Sequence, residues 1–345
     1  MADMTEIVAV DIGGTNARFA RATCGADGTP KLGTIFKYRV ADYPSFESCW
    51  AAFARDDGGR LPASACIGIA SAINPDIIRL TNSGWIIRPQ GLAAALGIEH
   101  VSLVNDFEAI GHAVTRLSAT EMELLFGPDH PFPENGAVTV LGPGTGLGVS
   151  LIAYSGGIPQ VIATEGGHID FAPLDNTEAT LLASLRAEHL RVSVERLASG
   201  PGLNAIYRGL AEMNRAEVAL LNDADLWAAA LSGENALARA ALERFCMIYG
   251  SVAGDIALVH GPSAVVLVGS LTRRLQPLLR QSGFHSRFTA KGRFEGLMRQ
   301  IPVRLAIHDE IGLFGAAAAY YRLNSAMVQL HSGRSNSHQS GQRQS

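Results

Sequence analysis

The chain has 345 residues, 47% of them apolar and 17% charged, and its 28 Lys and Arg against 32 Asp and Glu give a formal charge of −4. Such a composition supports packed cores; it excludes a disordered chain and a protein that gathers nucleic acid through a basic field. At ~150 residues per domain the length predicts about two domains.

No export or membrane anchoring is expected. The N-terminus MADMTEIVAVDIGG lacks a basic segment followed by a long apolar one, and the best apolar run, Ala253–Leu271, is interrupted by Asp255 and His260. Cys24, Cys49, Cys66 and Cys246 are spaced as neither a metal pair nor a disulfide framework, so they read as reduced thiols of a cytoplasmic protein.

In chain order, Glu6–Asp11 is a short apolar strand ending at a carboxylate, and IGGTNARFARA after it reads as a glycine turn into a second strand. Further strands are expected at Ser64–Ala70 and Val101–Val104. Apolar residues at Phe107, Ile110, Ala113, Val114 and Leu117 place a helix over Phe107–Leu117, so the fold class is α/β. A second strand, turn and strand follows at Gly136–Ala153. Shifting the sequence by 130 residues lays Val8 on Val138, Val10 on Val140, Gly14 on Gly144 and Thr15 on Thr145, which points to a duplicated hairpin or to two turns that merely favour the same residues. Helices are expected between Thr177 and Ala257, broken at Ser199–Gly202, before a strand at Ala264–Val268. The polar end, Ser332–Ser345, reads as a disordered tail.

Two glycine-rich turns carry the first chemical signal. Gly13–Gly14–Thr15–Asn16 and the turn around Gly144, Thr145 and Gly146 each follow an apolar strand, where glycines let main-chain N–H groups converge on an anion and Thr adds a hydroxyl donor. One such turn is usually only a hairpin; two shift the balance toward a nucleotide. Asp11, at the mouth of the first turn, either holds a hydrated Mg²⁺ near phosphates or caps the turn. Asn105–Asp106 stands at a strand-to-helix junction, where the bland reading is an Asp N-cap. Glu165, His168 and Glu195 add carboxylates and an imidazole of the kind that bind neighbouring hydroxyls.

These residues resemble the bacterial glucokinases of the hexokinase-like, actin-like ATPase superfamily. The resemblance runs from about Glu6 to Leu323 through DIGGTNARFA (Asp11–Ala20), TNSGW (Thr81–Trp85), LVNDFEAIG (Leu103–Gly111), LGPGTGLGVS (Leu141–Ser150), TEGGHIDFAP (Thr164–Pro173), SGPGL (Ser199–Leu203) and KGRF (Lys291–Phe294). It implies two ribonuclease-H-like domains flanking a cleft, spanning residues 1–117 and 118–331, that bind ATP, Mg²⁺ and glucose. By the same resemblance Asp106 is the base for the sugar 6-hydroxyl, with Asn82, Asn105, Glu165, His168 and Glu195 as sugar ligands. Asp11, Gly13, Gly14, Thr15, Asn16, Ala17 and Arg18 form the first nucleotide segment; Gly144, Thr145 and Gly146 form the second, joined by Gly269, which with Ser270 stands where a Gly-Gly pair commonly meets the adenosine. A cytoplasmic homodimer is implied as well. The zinc motif of the related ROK kinases is absent from the sequence. Rival readings are a kinase for another hexose or small hydroxyl acceptor, a sugar sensor, and an actin-like assembly protein, which would need no polyol-binding set.

Overall fold

A computed structural model describes residues 5–25, 28–80, 83–217 and 221–324. Its contacts divide into two units, one built from the chain up to Arg116 together with residues 310–324, the other from Leu117–Asp309.

In the first unit the strand expected at Glu6–Asp11 forms as β1 (Thr5–Ile12), followed by β2 (Asn16–Cys24) and β3 (Pro30–Arg39). α1 (Phe46–Asp56), β4 (Ser64–Ile69), the short β5 (Ile78–Arg79) and β6 (Ile86–Ile87), α2 (Leu92–Leu96), β7 (His100–Asn105) and α3 (Asp106–Val114) complete this segment. The sheet runs β3-β2-β1-β4-β7, with β1, β4 and β7 parallel. Because β1 lies inside the sheet and is covered on both faces, its sequence shows a continuous apolar run. Val8, Val10 and Ile12 face a core with α1, whose Phe46, Trp50 and Phe53 recur at helical spacing and surround Phe19 at ring separations of 6.1, 6.2 and 5.0 Å. Ile7 and Ala9 face the other way, onto Leu313, Ala316, Ala317 and Tyr320 of the helix formed by residues 311–324.

That last helix departs from the expected boundary. The span 118–331 assigned it to the second domain, but its apolar stripe covers β1 and β4 of the first unit. All four cysteines are buried thiols.

The second unit opens with β8 (Met122–Phe126), β9 (Gly136–Pro143), β10 (Leu147–Ser155) and β11 (Ile158–Thr164). Next come α4 (Asn176–Glu188), α5 (Gly202–Met213), α6 (Asp223–Ser232) and the 25-residue α7 (Ala236–His260). β12 (Ala264–Leu267), α8 (Ser270–Leu279), α9 (Phe284–Thr289), α10 (Glu295–Met298) and β13 (Val303–Ala306) close it. Its sheet runs β11-β10-β9-β12-β13-β8. Phe245 and Tyr249 on α7 pack with Phe284 and Phe288 of α9 in a core on the face lined by Leu141, Val149, Val265 and Leu267.

The two sheets repeat one plan. β1 pairs antiparallel with β2 and parallel with β4; β9 pairs antiparallel with β10 and parallel with β12. Val8 stands opposite Ala65 and, 130 residues on, Val138 stands opposite Ala264, the shift at which the two turns align. Of the two sequence readings, topology favours duplication over a coincidence of turn composition. Among the described residues, no helix is long and apolar enough to cross a membrane.

Candidate functional site

Register gathers the first unit's residues along one sheet edge. Ile12 lies opposite Ile69, and Ile69 opposite Asn105, so the glycine turn after β1, the loop after β4 and the Asn105–Asp106 junction all leave the carboxyl ends of neighbouring parallel strands. At ~4.8 Å between strands, the turn and the junction are two strands, about 10 Å, apart. Ligands of α/β sheets bind at this edge.

At the junction, the helix cap is Asn105 and not Asp106, which corrects the bland reading. Asn105 Oδ1 accepts from the main-chain N–H of Phe107 at 2.9 Å and Glu108 at 3.3 Å, while its Nδ2 donates to the Ser71 carbonyl. Asp106 is the first residue of α3, and its Oδ1 accepts from Phe107 N–H at 2.9 Å. The cap thus fixes the main chain that carries the Asp106 carboxylate.

In the hairpin turn Gly13 N–H donates to the Asn16 carbonyl, and Thr15 is exposed. Ala17 is buried against the core, so only its main chain faces the turn. Asp11 and Arg18 are cross-strand partners joined by a 2.9 Å ion pair, and the same guanidinium reaches Glu310 at 3.3 Å. Burial holds the Asp11 carboxyl above the usual carboxylate range, with Arg18 pulling it down and Glu310 pushing it up. Glu310 is the site residue that sequence reasoning missed: it lies far from the first turn along the chain, in no motif. Asn82 falls outside the described residues.

In the second unit, Glu165, His168 and Glu195 come together. His168 stands between two carboxylates, Nδ1 at 3.3 Å from Glu195 and Nε2 at 3.8 Å from Glu165. Glu165 precedes a single 3-10 turn, Gly166–His168, that ends on His168, and Glu195 lies in the short 3-10 helix Val194–Arg196. Glu195 also abuts the second glycine turn. A Cβ on Gly146 would lie 2.5 Å from Glu195 Oε2, so a side chain there would push the carboxylate aside. At Gly144 a Cβ would meet nothing within 4 Å, and the backbone is not left-handed, so room is kept there that no protein atom fills.

Gly200 N–H donates to the Gly144 carbonyl at 2.7 Å, tying the Ser199–Gly202 turn to the glycine turn. Thr145, Glu195 and Ser199 border a cavity of 680 Å³ between α4 and α5, which also takes in Asn204, Arg208 and Glu188. Gly269 lies outside it, at the start of α8 and beside Pro143, with φ +94° that favours glycine. A carboxylate at a helix start, two glycine turns and a carboxylate–imidazole set are groups of the kind that sugar phosphorylation uses.

The glucokinase family model matches residues 8–323. The chain belongs to the glucokinase family. A glucokinase from Zymomonas mobilis is 45% identical over 315 residues, 91% of this chain and 97% of that protein. One from Stenotrophomonas maltophilia is 37% identical over 318 residues, 90% and 94% of the two chains. Among solved structures, a glucokinase from an Antarctic psychrotroph matches with TM-score 0.80 and 32% identity, covering 93% of this chain and all of that one. The glucokinase of Balamuthia mandrillaris, solved with glucose, matches with TM-score 0.77 at 20% identity over 93% and 94% of the chains, which shows the shared fold. This glucokinase-family chain therefore has the actin-like ATPase fold, with the α/β class expected from its sequence.

Proposed function

We propose that this glucose kinase transfers the terminal phosphoryl group of ATP to the 6-hydroxyl of D-glucose, with Asp106 accepting the hydroxyl proton. The observation that carries the base assignment is the placement of Asp106: first residue of a capped helix, on the same carboxyl edge as the first glycine turn. Asn105 and Asp106 of the first unit, and Glu165, His168 and Glu195 of the second, are assigned to the sugar, because carboxylates and imidazole accept from and bridge adjacent hydroxyls.

Phosphoryl transfer asks a protein for alignment and charge stabilisation more than for covalent chemistry. Main-chain N–H groups of Gly14–Asn16 and of Thr145 and Gly146, with the hydroxyls of Thr15 and Thr145, donate to phosphate oxygens, and Arg18 adds positive charge; the Gly13 and Gly144 N–H groups close the turns themselves. Gly269, at the amino end of the ten-residue α8, brings a helix N-terminus to the phosphate side. The cavity behind Thr145 has room for the nucleoside. Mg²⁺ supplies further charge neutralisation when bound; Asp11, one half-buried carboxylate already paired with Arg18, fits a contact through water and not a direct ligand set. A cytoplasmic homodimer completes the reading.

ADP release measured with glucose, mannose, fructose and N-acetylglucosamine, with and without Mg²⁺, tests it. Turnover should require the metal and be fastest with glucose. ADP release independent of sugar would instead favour the assembly protein, and preference for another hexose would move the substrate assignment.

A further inference from the structure

We infer that Arg191, outside every motif of the chain, is a positioning residue that sets the glucose-binding His168 against Glu195. The inference rests on the proposed role of that pair in holding the sugar. Two separate loops carry the pair, residues 165–175 and 189–196, each with a single 3-10 turn as its only helix. Main-chain hydrogen bonds join them, from Phe171 N–H to the Val192 carbonyl at 3.0 Å and from Val194 N–H to the Ile169 carbonyl at 2.9 Å. Asp170 and Ser193 form an isolated antiparallel bridge between the two.

Arg191 closes this seam beside the sugar residues. Its Nη2 donates to the His168 carbonyl at 2.6 Å, and its Nε pairs with Asp170 at 2.6 Å. The planar guanidinium grips one loop at two points two residues apart, which an ammonium, a single point charge, does not reproduce. Among the described residues, the His168 main chain without that grip keeps the bond from its N–H to the Glu165 carbonyl, inside its own turn. The 3.3 Å spacing between His168 Nδ1 and Glu195 Oε1 then loses the arginine that fixes it from the other loop.

Arg191 and Asp170 side chains are 59% and 73% exposed, and exposed ion pairs contribute little to folding. The exposed ion pair by itself therefore predicts no effect worth measuring, a structural role predicts a loss of melting temperature, and a positioning role predicts a selective loss of glucose affinity. In the full chain, Arg191→Ala should raise the KM for glucose about tenfold, the lower range for losing a charge-assisted hydrogen bond. Its kcat, KM for ATP and melting temperature should stay near those of Arg299→Ala, which breaks an exposed pair with Glu295 remote from the site. Arg191→Lys should fall between Ala and wild type. His168→Ala separates the two layers of the argument. If it raises the KM for glucose and Arg191→Ala does not, the positioning role is wrong; if His168→Ala itself leaves that KM unchanged, the sugar assignment fails and the inference with it. Parallel losses of kcat and melting temperature in Arg191→Ala would reduce the residue to a structural one and overturn the inference.

Discussion

Asn105 and Asp106 divide two tasks that look interchangeable in the sequence. The asparagine caps the helix with its oxygen and secures the β4 loop with its nitrogen; the aspartate is carried at the first helical position. Sequence reading found the pair and exchanged the cap, because both residue types favour N-caps and only geometry tells which oxygen reaches the second and third amides. Gly144 and Gly146 separate in the same way. Space is open at Gly144, so Gly144→Val should fold normally and, if the turn holds phosphate as proposed, raise the KM for ATP more than that for glucose. At Gly146 the obstacle is Glu195, so Gly146→Ala should raise the KM for glucose by displacing that carboxylate. Steady-state kinetics on both variants check the pair; equal effects on both substrates would count against the assignments.

At the scale of elements, α3 was legible through its apolar spacing, and the strands through runs ended by glycine. The helix of residues 311–324 was assigned to the other unit, because its partners Ile7, Ala9 and Cys66 lie hundreds of positions away and no local pattern names them. α3 carries a further consequence in His112, buried in its last turn. Burial, with Arg322 and Arg116 nearby, lowers its pKa from 6.5 to about 4. Between these values the unfolded chain binds a proton that the folded chain refuses, so stability rises with pH and is lost as pH falls from 6.5 toward 4. Urea unfolding should show about 2 kcal/mol less stability at pH 5 than at pH 7 from this group, and His112→Gln should flatten that part of the curve whatever its stability at pH 7. A second buried set joins α4 to α7 and α9: Glu178, 1% exposed, accepts from Arg244 at 2.9 Å and pairs with Arg287 at 3.3 Å. Its members come from three elements, so spacing along the chain gave no sign of it.

Across the whole molecule, one hairpin-and-crossover plan is used twice, each time placing a glycine turn at the carboxyl edge of a sheet. The turns were readable because glycine next to a strand end has few other uses; the contacts of Arg18 with Glu310 and of Glu195 with Gly146 were not, since each joins separate stretches of chain. The proposed use of this plan is proton removal from an alcohol facing an aligned phosphate, and Asp106 is where that proposal stands or falls. Asp106→Asn keeps the size of the side chain and removes its basicity. Measuring its kcat beside its affinity for glucose is the most direct test: the account predicts a kcat lowered at least ~10²-fold with glucose affinity nearly intact. A variant that turns over at the wild-type rate would contradict it.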